Sequence, residues 1–119
     1  MTTIHKQSIE EWFDSTAISP LLIAGPCSVE SPEQMLETAQ QIKKYAPVSL
    51  LRGGVWKPRT KPGSFEGIGG EAMRWLIDAG KETETPTTVE VANADHVELA
   101  LKEGADVLWI GARTTVNPF

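Results

Sequence analysis

Arg52, Lys57, Arg59 and Lys61 crowd into ten consecutive positions of the stretch R-G-G-V-W-K-P-R-T-K, with Pro58 and Pro62 stiffening the chain around them. Four cations this close repel one another unless something anionic sits among them. Arginine offers a planar fork suited to carboxylate or phosphate, and lysine a point charge. Gly53 and Gly54 would let backbone approach a ligand closely. A solvated surface loop is the alternative. The length of chain here without a periodic pattern, Val55 to Gly70, favours the binding reading, because long structureless loops in compact domains are often functional.

Other residues of chemical interest lie at comparable places. Cys27, in Gly25-Pro26-Cys27-Ser28, follows an apolar run and would sit on a strand-to-loop turn. Its thiolate would suit a divalent metal, or its thiol would serve as a small buried filler. Glu90 shares a strand face with Thr88 by alternation and is expected to pair with Arg52 or Lys57, as part of a site or as a purely structural ion pair. Arg113, in Gly111-Ala112-Arg113, is expected at the strand-end position Arg52 holds in its own unit. Two strand-end arginines and a lysine on one rim read as a divided anion site, against solvent-facing arginines as the alternative. His5 and His96 have no partners at metal spacing, and neither is assigned a role. Trp56 is expected to pack the floor of the cationic loop, and the other tryptophans to serve core or interface.

These residues need elements to hold them. Leu21-Leu22-Ile23-Ala24 reads as a buried strand ended by Gly25-Pro26. Ser31 as N-cap, Pro32 at the first helical position and Gln34 closing a capping box begin a helix that runs to about Tyr45. Val48–Arg52 is a second strand. Glu71–Ala79 reads as a helix stopped by Gly80. Thr87–Val91 is a β-branched third strand. Asn93 or Asp95 caps a helix ended by Gly104, and Asp106–Gly111 is a fourth strand.

The alternating order implies a parallel sheet with right-handed crossovers. It fits a small doubly wound sheet or half of an eight-stranded barrel whose full length is about 250 residues. Both place chemistry at the carboxyl ends of the strands, where the candidate residues fall.

Composition narrows the class. The 119 residues carry a net charge of −5, with 40% hydrophobic and 23% charged side chains, as in an ordinary globular domain. An acidic balance argues against nucleic acid as partner, yet permits a local basic pocket. No apolar run approaches the roughly 18 residues a membrane helix needs, and the N-terminus lacks a signal-peptide pattern. One cysteine admits no intrachain disulfide, as expected in the cytoplasm.

G-P-C-S at 25–28, R-G-G-V-W-K-P-R-T at 52–60 and I-G-A-R at 110–113 together resemble the 3-deoxy-D-arabino-heptulosonate 7-phosphate (DAHP) synthase family, in spacing as well as in wording. The resemblance covers about residues 20–119, and K-P-R-T at 57–60 is its most specific piece. The sister enzyme making 3-deoxy-manno-octulosonate 8-phosphate carries K-A-N-R there and is the second reading. The longer wording at 52–67 and the ending G-A-R-T-T-V-N-P-F resemble the subgroup often fused to a C-terminal chorismate mutase.

The resemblance implies a (β/α)8 TIM barrel of the class I DAHP synthase type. Residues 1–18 would be a lead-in, and 19–119 the N-terminal half of the barrel, about four βα units. It implies condensation of phosphoenolpyruvate with erythrose 4-phosphate at the start of the shikimate pathway, which leads to chorismate and the aromatic amino acids. Cys27 would be a ligand of a divalent metal (manganese, iron, zinc or similar) that polarises the aldehyde. Arg52 would bind the phosphoenolpyruvate carboxylate, and the Ala112 amide and Arg113 its phosphate. Lys57 would lie between the substrates and donate a proton to the aldehyde oxygen. Pro58, Arg59 and Thr60 would hold the erythrose 4-phosphate phosphate, with Glu90 in support. A homo-oligomer is expected. Family members take a further lysine and arginine, a histidine and two carboxylates from later strands, so this segment alone is expected to be an inactive fragment. A stand-alone half-barrel that binds sugar phosphates or a partner without catalysis is the competing expectation.

Overall fold

A computed structural model describes residues 21–56 and 68–116. Strand β1 (Ile23–Ala24) leads to helix α1 (Pro32–Tyr45), then β2 (Leu50–Arg52), α2 (Gly70–Glu82), β3 (Thr87–Glu90), α3 (Ala94–Glu103), β4 (Val107–Trp109) and α4 (Ala112–Val116). The strands pair in parallel in the order β1-β2-β3-β4. That order decides between the two architectures. A doubly wound sheet reverses its strand order at a switch point, whereas consecutive order with crossovers of one hand stacks every helix on one face. Here α1 packs on α2 and α2 on α3, as in a β/α barrel.

The helices begin and end where local chemistry directs. At α1, Ser31 Oγ accepts the Gln34 N–H at 3.0 Å. The capping box is not reciprocal: Gln34 Oε1 accepts from the Glu30 N–H, and its Nε2 donates to Ser28 O, tying the helix start to the loop after β1. Asn93, not Asp95, caps α3 through Oδ1, which accepts the His96 N–H at 2.9 Å. Gly104 ends α3 in the left-handed conformation, φ +93°.

Helix α2 corrects the sequence reading. It runs past Gly80 to Glu82, with Thr83 as its C-cap. Gly80 is an interior contact, because a Cβ there would press on the Thr87 side chain and the Thr85 carbonyl. Glycine lets α2 lie close to the start of β3. The strands are also shorter than the sequence pattern predicts, and α4 has no counterpart among the expected elements. The expected division between residues 18 and 19 lies outside the described residues.

One face of the sheet meets the helices. Leu51 pairs with Thr87, and Val89 with Leu108, on that side. Leu51 and Val89 join Val29, Met35, Ala39, Ala72, Met73, Leu76 and Ile77 in the buried core. Burying each Leu, Val, Ile or Met among them contributes about 1.5–3 kcal/mol, and each Ala less. On the opposite face stand Ile23 and Leu50, paired with each other, Arg52 with Thr88, and Glu90 with Trp109. This face is open at its edge strands, where Ile23 is 51% exposed and Trp109 39%, while Leu50 and Thr88 between them are buried.

Candidate active site

Arg52 is the last residue of β2, on the face turned away from the helices. The loops after β1 and β2 are laced together beside it. Gly54 N–H donates to Pro26 O at 3.3 Å, and Val29 N–H donates to Gly54 O at 2.9 Å. Gly25 packs directly on the Arg52 carbonyl, where a Cβ would overlap backbone. Gly53 is buried, and a Cβ there would meet Val29, Leu76 and Met35. Gly53 thus serves packing and Gly54 loop lacing.

Glu90 ends β3 on the Arg52 face, as alternation predicts. The expected ion pair with Arg52 does not form. Among the described residues the only salt bridge is Arg74–Glu103 at 3.2 Å, between α2 and α3. The Glu90 carboxylate lies instead against Gly111, so close that any side chain at 111 would displace it. Ala112 and Arg113 are exposed and begin α4. Arg113 stands past the strand in a helix, whereas Arg52 stands on the strand itself, so the two positions are not equivalent. Both still lie at the carboxyl end of the sheet. Cys27 is exposed, which disfavours the buried-filler reading. Lys57, Pro58, Arg59 and Thr60 lie outside the described residues, as does the pairing of Glu90 with Lys57.

Three buried side-chain atoms find no hydrogen-bond partner among the described residues: Ser28 Oγ, Arg52 Nε and Thr114 Oγ1. Each follows or ends a strand at its carboxyl end. Buried polar atoms are nearly always paired, so all three stand out, and all three belong to the carboxyl end of the sheet. Ser28 and Thr114 are additions to the residues that the sequence pattern singles out.

His96 is another addition. Its ring lies flat on Trp56, centroids 3.9 Å apart and planes within 6°. Its Nδ1 accepts the Ala92 N–H at 3.1 Å, which leaves the proton of the neutral ring on Nε2. Burial lowers its pKa below the ordinary 6.5, with Asp95 pulling the other way. No periodicity signals such a contact between units, because Trp56 and His96 are forty positions apart.

Among the described residues no three His, Cys, Asp or Glu side chains gather to hold a metal. Cys27 alone offers one ligand where catalytic sites need about three. The described residues thus do not by themselves fit a metal ion.

A parallel sheet in consecutive strand order, with its helices stacked on one face, defines a segment of a β/α barrel. The sequence pattern of the DAHP synthetase I family matches residues 14–118. A phospho-2-dehydro-3-deoxyheptonate aldolase of Thermotoga maritima is 40% identical over 96 residues, covering 81% of this chain and 28% of that protein. A 2-dehydro-3-deoxyphosphooctonate aldolase of Magnetococcus marinus is 37% identical over 93 residues, covering 73% of this chain and 32% of that protein. The crystal structure of the Thermotoga maritima DAHP synthase superposes with a TM-score of 0.70 at 38% identity, covering 82% of this chain and 28% of that one. The chain belongs to the DAHP synthetase I family, and its parallel α/β fold is that of the DAHP synthase barrel. It spans under a third of the length of these relatives.

Proposed function

We propose that the protein carrying this segment is a 3-deoxy-7-phosphoheptulonate synthase, condensing phosphoenolpyruvate with erythrose 4-phosphate in aromatic amino acid biosynthesis. The observation that carries this reading is membership of the DAHP synthetase I family, with Arg52 at the carboxyl end of β2. Arg52 binds the phosphoenolpyruvate carboxylate, and the Ala112 amide with Arg113 binds its phosphate. Lys57 lies between the substrates and protonates the aldehyde oxygen as the enol carbon bonds to the aldehyde carbon. Water then captures the cationic centre and phosphate leaves. Pro58, Arg59 and Thr60 hold the second phosphate, and Glu90 orients its neighbours on the rim. Cys27 would contribute one ligand to a divalent metal, the remaining ligands coming from outside the described residues. A cytoplasmic setting, a homo-oligomer and a downstream chorismate mutase domain belong to the same proposal and rest on the resemblance.

The test is phosphate release by the full-length protein from the two substrates, with Arg52→Ala beside it. A charge-assisted hydrogen bond contributes about 1.5–3 kcal/mol, so the variant should weaken phosphoenolpyruvate binding about tenfold to a hundredfold. The 37% identical octulosonate aldolase favours one second reading. Carbon counting separates the two: a seven-carbon product needs a four-carbon aldehyde, an eight-carbon product a five-carbon one. Turnover with a pentose phosphate in place of erythrose 4-phosphate would select the octulosonate synthase. No turnover with either would leave a binding module.

A further inference from the structure

Trp56 is the last described residue before the cationic stretch, and Lys57 is bonded to it. Two contacts fix this stem. The Gly69 N–H donates to the Val55 carbonyl at 3.1 Å, bringing together the two sides of the 56–68 segment. The His96 ring covers the Trp56 indole face to face. His96 is itself held, by its side-chain bond from the Ala92 N–H and its backbone bond to the Asn93 cap. The stack therefore ties the loop after β2 to the start of α3 in the next βα unit. Trp56 also packs against the buried core.

We infer that His96 is a positioning residue for the loop after β2, holding Trp56, the residue that precedes Lys57 in the sequence. The inference rests on the synthase reading for its kinetic consequence. It assigns His96 no contact with substrate. The flat face of the ring is what acts, so another flat ring should serve. Arg52 is held independently, by strand pairing to Thr88 and by the close approach of Gly25.

The experiment compares His96→Ala and His96→Phe in the full-length protein. His96→Ala should lower kcat about three- to tenfold, the factor an aromatic pair's coupling corresponds to. The KM for phosphoenolpyruvate should stay within about twofold, and His96→Phe should recover most of the loss. Two results overturn the inference: kcat of His96→Ala within about twofold of wild type, or losses in kcat and both KM values that His96→Phe does not restore. A third readout needs no turnover. Within 57–61 trypsin can cut only at Arg59–Thr60, because prolines follow Lys57 and Lys61. If the wild type releases no phosphate, the synthase reading fails, and cleavage there decides the positioning role. Faster cutting in His96→Ala, reversed in His96→Phe, upholds it; equal rates overturn it.

Discussion

Gly25→Ala should be among the most damaging single-methyl additions in this chain. A Cβ at Gly25 would stand 2.7 Å from the Arg52 carbonyl carbon and 3.0 Å from its nitrogen, and nearer still to the oxygen. Carbon atoms in ordinary contact sit about 3.5–4.0 Å apart. All three neighbours are backbone, so no rotamer relieves the overlap, and β1 must move away from β2 by about 1 Å at this point. Strand β1 is two residues long and pairs with β2 only through Ile23–Leu50 and Ala24–Leu51. Losing one or two of its hydrogen bonds at about 1 kcal/mol each, together with overpacking of about 1–3 kcal/mol, gives about 3 kcal/mol. Gly104→Ala is the control. Its φ is +93°, but nothing lies within 4 Å of the new methyl, so only backbone strain of about 1–2 kcal/mol remains. Urea titration of the full-length protein, followed by tryptophan fluorescence, measures both. With a slope of about 1–3 kcal/mol per molar, Gly25→Ala should lower the midpoint by at least 1 M. A shift no larger than that of Gly104→Ala would refute the steric argument.

Other substitutions sort by the same logic. Gly111→Ala meets the end of the Glu90 side chain, which can rotate, so the unfolding free energy should change by less than about 1 kcal/mol while activity falls, as paired denaturation and turnover assays would record. Ser31→Ala removes the α1 cap and should cost about 1 kcal/mol by denaturant titration. Met73→Ala, in a fully buried site, should cost about 2–5 kcal/mol, whereas Arg74→Ala next to it loses an exposed ion pair of at most about 1 kcal/mol. Because burial lowers the His96 pKa, the unfolded chain binds the proton more readily than the folded one. Its contribution to stability is whole above pH 6.5 and is lost as pH falls through the lower folded value; thermal melts from pH 7.5 to 5 should show a decline that His96→Phe reduces.

What is legible in the sequence is local or repetitive. The α1 cap at Ser31, the α3 cap at Asn93 and the stop at Gly104 depend on neighbours within a few residues, and the sequence pattern places all three, apart from the choice between two caps. The parallel order follows from alternation. Gly80 misleads because glycine stops helices more often than it makes close contacts, and only the position of β3 reveals which role applies. The Arg52–Glu90 pairing fails for a similar reason: alternation places both on one face, but the carboxylate settles against Gly111 of the next strand end. The His96–Trp56 stack has no signature in either segment taken alone.

The two ends of the sheet divide their work. At the amino ends of the strands, buried polar atoms are satisfied internally. Ser49 Oγ accepts the Leu22 N–H at 3.3 Å, Asp106 Oδ2 accepts the Thr87 N–H at 2.9 Å, and Thr83 Oγ1 donates to Ala79 O at 2.8 Å. Lys43 Nζ reaches the Thr83 carbonyl there as well. At the carboxyl ends, Ser28, Arg52 and Thr114 keep buried polar atoms unpaired among the described residues. An unpaired buried polar atom costs about 1–3 kcal/mol, so the carboxyl rim is held at some expense of stability that the amino rim does not share. A ligand carrying carboxylate and phosphate oxygens would recover that cost on binding. The expense therefore falls on the same rim as Arg52 and Arg113, and among the described residues the amino rim carries none of it.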